Sequence, residues 1–370
     1  GSATIAKRCS TGAAEAATGV HDEGCAGSLA GAEFDVIARQ DVISPDGTVQ
    51  ATAGQIVGHV ATGEDGAATV DGLPLGTGSA TYAFVESVPA PGHALDATPH
   101  EFTLSYADDR TLVVTASVEA TNEPTVVTLD KTVLGTGESL AGATFALWRD
   151  DAGEKDDGGA TRPERALVTT GDDGTLTLRH LRPGTYCLAE VEAPDGYLVD
   201  GSLRTFVVDE TGLIDGSPTL EVSVEDDFTK VELSKRDITN EREVPGAHLT
   251  VLDADGNVVE SWVSTEEPHL IDALPVGTYT LVEKMTPHDY DEATAVEFSV
   301  APTGEVQTVV MYDRPIEVGG EVDKRQEVVE DGDGSYAYSV DFRSTSSTWV
   351  DEFTVTDELG AAIDGLAELE

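Results

Sequence analysis

Residues 184–200 read GTYCLAEVEAPDGYLVD. Tyr186, Leu188 and Glu190 alternate, which puts all three side chains on one face of a strand. A carboxylate in phase with two core-type side chains needs a reason, because an unpaired buried charge is strongly unfavourable. The pattern is not isolated. Residues 81–92, TYAFVESVPAPG, carry Tyr82, Phe84 and Glu86 in phase, and residues 277–287, GTYTLVEKMTP, carry Tyr279, Leu281 and Glu283 in phase.

Working outward from these strands, three further signals recur in the same order. A strand ending in an in-phase lysine comes first: Ile5 and Lys7, Leu129 and Lys131, then Val231, Leu233 and Lys235. A Gly-Ala step into a strand follows, as LAGAEFDV (29–36), LAGATFAL (140–147) and VPGAHLTV (244–251). The glutamate strand is third, after a turn and an apolar step. The last signal is a strand with an amide or acid in phase with apolar residues. These are Val118, Ala120 and Asn122, then Val222, Val224 and Asp226, then Val309, Met311 and Asp313. Asn122 and Asp226 each precede the next lysine by the same interval (131 − 122 = 235 − 226 = 9).

The chain therefore divides into three repeats, about 3–125, 126–229 and 230–316. Each has about seven short strand patterns separated by turns, the signature of a β-sandwich. The predicted fold class is all-β: tandem Ig-like or prealbumin-like sandwiches in a rod, stiffened by short linkers at NEPTV and DDFTK. Residues 317–370 differ. They read as strands, with Tyr336, Tyr338, Val340 and Phe342 in phase, and are predicted to open a fourth, truncated β module. Helical periodicity is confined to a weak stretch at 12–24.

Composition narrows the function. A chain of 370 residues has room for two to four domains. Its net charge of −49, with only 21 basic residues, repels phosphate and anionic lipid. Nucleic acid and direct membrane contact are therefore not expected. The sequence shows no secretory signal and no transmembrane run. Gly1-Ser2 reads as a vector-derived remnant and the chain as an excised piece of a longer protein. Of three cysteines, Cys9 and Cys25 flank an Ala/Gly-rich loop and either close a disulfide in an oxidising compartment or stay as two thiols. Cys187 is out of phase with Tyr186 and Leu188 and reads as a lone structural thiol.

Each repeat thus offers one Lys, one Glu and one Asn or Asp at inward positions. A buried ion network is one explanation, although desolvation offsets most of its Coulomb gain. Covalent chemistry is the other. A desolvated lysine has a lowered pKa and can attack as a neutral amine. A buried glutamic acid can stay protonated, hydrogen-bond the Asn or Asp carbonyl, and shuttle protons. Condensation yields an amide between the two side chains, and folding supplies the effective concentration.

The ordered set of LAGATFAL, GTYCLAEVEAPDGYLV and the lysine-ended first strand resembles the SpaA-type (Cna B-type) prealbumin-like domain of Gram-positive pilins and cell-wall surface adhesins. The resemblance covers residues 3–316 as three tandem copies. It implies an isopeptide bond from the first-strand lysine to the last-strand Asn or Asp, assisted by the glutamate: Lys7, Glu86 and Asn122; Lys131, Glu190 and Asp226; Lys235, Glu283 and Asp313. The third repeat departs from the family pattern, with EKMTPHDY where Glu-x-x-Ala-Pro-x-Gly-Tyr is favoured, and two repeats use Asp where Asn is commoner. The tail resembles the start of another repeat, with Lys324 as its nucleophile.

The resemblance implies an extracellular, cell-wall-associated stalk segment whose chemistry is one turnover per domain, with other segments of the parent protein or pilus as partners. A binding module for a host matrix protein or glycan is the alternative. The first repeat is its candidate, being enlarged (86 − 7 = 79 residues from Lys to Glu, against 190 − 131 = 59 and 283 − 235 = 48). No cofactor and no metal are expected. DADGNVVE (253–260) and EDGDGS (330–335) lack the spacing of a calcium loop and read as hairpin turns. No HExxH, GxSxG, P-loop or dinucleotide motif is present. His180, His248 and His269 read as surface residues, and Trp148, Trp262 and Trp349 as core or edge aromatics.

Overall fold

A computed structural model of the chain describes residues 1–10, 29–106, 108, 110–111, 113–150, 165–328, 336–347 and 354. Among them there is no helix; every regular element is a strand. The chain forms two compact units, Gly1–Thr229 with Pro302–Gly304, and Lys230–Ala301 with Glu305–Glu370.

The first repeat holds β1 (Ser2–Cys9), β2 (Glu33–Ala38), β3 (Val42–Ile43), β4 (Val49–Ala51), β5 (Ile56–Ala61), β6 (Ala67–Val70), β7 (Ser79–Val88), β8 (His100–Ser105) and β9 (Thr115–Asn122). The second holds β10 (Val126–Val133), β11 (Thr144–Arg149), β12 (Ala166–Thr169), β13 (Thr175–Arg179), β14 (Gly184–Glu192), β15 (Arg204–Val208) and β16 (Thr219–Asp226). The third holds β17 (Lys230–Asp237), β18 (His248–Leu252), β19 (Val258–Val263), β20 (His269–Asp272), β21 (Gly277–Met285), β22 (Tyr290–Asp291), β23 (Val296–Val300) and β24 (Val306–Pro315). A hairpin of β25 (Gly320–Val328) and β26 (Tyr336–Ser344) follows.

Each repeat is a sandwich of two sheets with one design. The first strand is the centre of one sheet, as in β6-β1-β9, β13-β10-β16 and β20-β17-β24-β22. The glutamate strand lies inside the other, as in β5-β2-β7-β8, β12-β11-β14-β15 and β19-β18-β21-β23. The extra length of the first repeat includes the hairpin β3–β4. Ser2 belongs to β1, is buried and pairs with Thr115. Gly1-Ser2, read as a remnant, is thus folded into the first sandwich.

Within each sandwich the first and last strands run parallel. That is unusual for a chain built of hairpins, and it sets the site. Lys7 pairs with Ala120, Lys131 with Val224 and Lys235 with Met311, so Asn122, Asp226 and Asp313 each lie two positions further on and on the same face. Period-two alternation then places lysine and amide or acid side by side, facing the core.

The cores repeat as well. Tyr82, Tyr186 and Tyr279 stack on Phe102, Phe206 and Phe298, with ring centroids 5.7, 5.3 and 5.7 Å apart. Each tyrosine hydroxyl donates to the carbonyl of the preceding loop, at Pro74 (2.8 Å), Arg182 (3.0 Å) and Pro275 (2.8 Å). Burying the ring while satisfying its hydroxyl is the arrangement that stabilises a buried tyrosine. The Gly-Ala step is pinned by a hydroxyl from a loop residue not singled out in the sequence. Thr62, Thr170 and Ser264 accept from the N–H of Ala32 (3.0 Å), Ala143 (3.1 Å) and Ala247 (2.9 Å). They donate in turn to the carbonyls of Leu29 (2.7 Å), Leu140 (3.1 Å) and Val244 (2.6 Å).

Only residues 123–125 lie between β9 and β10. Thr125 donates its N–H to Gly92 O (3.0 Å) and its hydroxyl to Gly212 O (2.7 Å). Gly92 has a positive φ, and a Cβ there would lie 2.7 Å from His180 O, so the junction requires glycine. His180 is buried at this junction with its ring 4.9 Å from that of His93. The surface reading of His180 is therefore corrected: its burial comes from packing between repeats. His248 is exposed, and His269 stacks on Trp262 at 4.3 Å. Trp148 is half-buried under the Arg165 guanidinium, and Trp349 lies outside the described residues. Residues 253–257 form a turn whose N–H groups are capped by Asp253.

Candidate functional site

The nine residues singled out in the sequence converge as three buried clusters, one per sandwich. Lys7, Lys131 and Lys235 have relative exposures of 0, 1 and 1%. Glu86, Glu190 and Glu283 are at 3, 4 and 7%, and Asn122, Asp226 and Asp313 at 1% each. Ionisable side chains are almost never buried this deeply without partners.

The lysine comes from the middle sheet strand, the amide or acid from its parallel neighbour and the glutamate from the facing sheet. Directly after each glutamate the strand bulges. Phe34 pairs with Glu86 but Glu33 with Val88; Phe145 pairs with Glu190 but Thr144 with Glu192; Leu249 pairs with Glu283 but His248 with Met285. A bulge bends the strand and re-aims the flanking side chain. Phe34 and Phe145, opposite their glutamates, also place a ring face under the lysine, 5.5 and 5.9 Å from Nζ. Such a contact holds the amine over an apolar floor.

In the first repeat Lys7 Nζ lies 3.3 Å from Glu86 Oε1 and donates to Thr121 O at 3.2 Å. Glu86 Oε2 accepts from Asn122 Nδ2 at 2.9 Å. The glutamate was expected against the Asn carbonyl; it meets the amide nitrogen instead. The reason is a second acceptor, Ala94 O, which takes a short hydrogen bond from the same Nδ2 and fixes the amide's orientation. In the second repeat Lys131 Nζ lies 3.2 Å from Glu190 Oε2 and makes a short contact with Asp226 Oδ1. In the third, Lys235 Nζ lies 3.1 Å from Glu283 Oε1 and makes a short contact with Asp313 Oδ1.

Burial shifts the titration of three of these groups. Desolvation lowers the Lys7 pKa, against the opposing pull of Glu86. It pushes Glu190 up to about 7, helped by the neighbouring Asp226 charge. It also raises Asp313, against the hydrogen bond from Lys235. All three shifts favour neutral forms, which is what an amine nucleophile and a carboxylic acid electrophile require. Apart from the lysine contacts to Glu86 Oε1 and Glu283 Oε1 just given, the Oε1 atoms of Glu86, Glu190 and Glu283 have no hydrogen-bond partner, and neither do Asn122 Oδ1, Asp226 Oδ2 or Asp313 Oδ2.

Cys9 is disulfide-bonded. Cys25 lies outside the described residues. Cys187 is a buried free thiol. Lys324 sits on β25 opposite Val340 and is exposed, unlike the three buried lysines. No group of metal-binding side chains is found among the described residues.

The family model described as "SpaA: Prealbumin-like fold domain" matches the chain three times, over residues 21–120, 125–219 and 229–315. Among solved structures, the Bacillus anthracis TIE protein is 21% identical with a TM-score of 0.38, covering 85% of this chain and 51% of that one. The chain thus spans about half the length of that protein. A streptococcal ancillary pilin is 17% identical with a TM-score of 0.34, covering 85% of this chain and all of the other. The shaft pilin SpaA from Lactobacillus rhamnosus GG is 16% identical with a TM-score of 0.29, covering 51% of this chain and 97% of that one. No curated protein matches.

Proposed function

The chain belongs to the SpaA prealbumin-like family, and from that premise we propose that it is a load-carrying segment of a Gram-positive surface pilin or adhesin. In this reading it works outside the cell, attached to the wall, with other segments of its parent protein or pilus as partners. Each of the three domains, 3–125, 126–229 and 230–316, closes one intramolecular isopeptide bond: Lys7 to Asn122, Lys131 to Asp226 and Lys235 to Asp313. The chemistry is autocatalytic and single-turnover. The observation that carries the reading is the burial of Lys, Glu and Asn or Asp in the same relation in three successive sandwiches.

The reaction follows from the groups present. The neutral Lys7 Nζ attacks Cγ of Asn122, forming the new C–N bond. Glu86 takes the proton released from Nζ and delivers it to Nδ2, with which it already shares a hydrogen bond. The Cγ–Nδ2 bond breaks and ammonia leaves. In the other two repeats the carboxyl must be protonated to be electrophilic. The raised Asp313 pKa supplies that condition in the third, and a hydroxyl leaves as water with the glutamate's proton. Burial of the product then costs little, since the lysine charge is gone.

The mechanical consequence follows from the parallel pairing of first and last strands. Tension enters each domain at the start of its first strand and leaves at the end of its last. A bond from Lys131 to Asp226, at those strands' far ends, passes the load across one covalent link. The residues between are shielded from force, so no unfolding barrier is loaded. Peptide mapping of the folded chain by mass spectrometry tests the assignment. It should recover branched peptides joining the three named pairs, and unbranched peptides at all three would refute it.

A further inference from the structure

In every repeat the glutamate's Oε2 accepts a main-chain N–H from the residue ten positions downstream. The donors are Asp96 (2.7 Å), Asp200 (2.8 Å) and Ala293 (2.7 Å). Two of the donors are aspartates and the third is alanine, so what all three share is the main-chain donor alone. The loops that present it differ as well. Asp96 and Asp200 close tight turns, accepting from Thr98 N and Ser202 N at 3.0 Å each. Asp200 also pairs with Arg204 at 2.6 Å. The third loop is held by the bridge of β22 to β24. One interval and one atom, reached by two loop designs, mark the hydrogen bond as the purpose of the loop.

Its chemical effect is specific. An oxygen that accepts an N–H cannot point a proton along the same direction, so the acid proton of a neutral glutamate goes to the other oxygen. That other oxygen is Oε1, which has no partner beyond the lysine contact at Glu86 and Glu283 and none at Glu190, and one oxygen of each Asn or Asp also lacks a partner. Protonation of Oε1 adds a donor to a cluster in which an Asn or Asp oxygen has none. We infer that the main-chain N–H ten residues after each glutamate is a positioning group for the condensation. By holding Oε2 as an acceptor it assigns the resting glutamate proton to Oε1 in all three domains. This inference rests on the isopeptide reading above.

The test replaces the N–H of residue 200 by an ester oxygen, using malic acid, the α-hydroxy analogue of aspartic acid, in the full-length chain. The side chain that pairs with Arg204 is kept. Unbonded chain is refolded at a series of pH values, and closure of the Lys131–Asp226 bond is followed by peptide mapping. The first and third repeats report folding in the same molecule. Closure in the second repeat should slow by about tenfold or more, as expected for a displaced general acid. Its fall-off with rising pH should also move up by roughly one unit, because the N–H favours the carboxylate form. Asp200→Asn, which keeps the N–H, should close at close to the parent rate.

An ester chain that closes at the parent rate, or that slows with an unchanged pH profile, overturns the inference and leaves a purely structural loop contact. A parent chain that closes no bond at all would instead refute the isopeptide reading, so the two failures are distinguishable.

Discussion

Substituting Glu190→Gln isolates the proton-transfer role of one glutamate. Gln keeps the size of the side chain and an oxygen to accept the Asp200 N–H, seen at 2.8 Å. It removes the group that moves a proton. The Lys131–Asp226 bond should then fail to form, while both partners stay buried as an ion pair worth little net stability. The lost bond would have closed a loop of 95 residues. By the loop-entropy relation for cross-links, that is about 4.7 kcal/mol of unfolded-state entropy. For a domain of this size each kcal/mol moves the midpoint by about 4–8 °C, so the transition of the second repeat should fall by roughly 20–40 °C. Calorimetry reads that transition, and peptide mass reads the retained water. Lys131→Met, which removes the nucleophile, should give the same retained water. A Glu190→Gln chain that still loses water would remove Glu190 from the mechanism. One that keeps its water yet melts with the parent would remove the tether from the stability argument.

Four further outcomes are expected. Asn122→Asp should still close the first bond but release water in place of ammonia, seen as a change in the first repeat's mass deficit; an unbonded product would show that the Nδ2 contacts to Glu86 and Ala94 are required. Bond closure in the second repeat should fall about tenfold per pH unit above pH 7, as Glu190, raised to about 7, loses its proton. Folding of the unbonded chain takes up that same proton, so the stability that Glu190 contributes should be complete below about pH 4.5 and be lost as pH rises to about 7; an unbonded parent whose stability does not fall relative to Glu190→Gln across this window in urea titrations would contradict the assignment. Thr170→Val leaves Ala143 N and Leu140 O without their hydroxyl partner and should cost about 1–3 kcal/mol in denaturant unfolding, whereas Thr170→Ser should be close to neutral.

The clusters were legible in the sequence because strand periodicity is two. Lys131, Glu190 and Asp226 each stand in phase with core residues, and no surface strand needs that pattern. The three copies made the order of the signals visible. What stayed hidden depends on main-chain atoms and on packing between elements. The bulges after Glu86, Glu190 and Glu283 are formed by Ser87, Val191 and Lys284, which share no chemistry. The N–H donors at Asp96, Asp200 and Ala293 carry no side-chain signature, although their constant offset from the glutamate is countable. Thr62, Thr170 and Ser264 recur just before the turn into the strand that precedes the glutamate strand, and that shared hydroxyl was a readable signal. His180 was misread because its burial is decided by His93, from a different repeat. Parallel pairing of first and last strands was also out of reach, since alternation does not encode strand direction.

The central claim is that three lysines end as amides. Intact-mass measurement of the folded, unmodified chain tests it most directly. The account predicts a chain lighter than its sequence by one ammonia and two waters, once the hydrogens lost to the disulfide at Cys9 are allowed for. A mass equal to that of the linear sequence would contradict it.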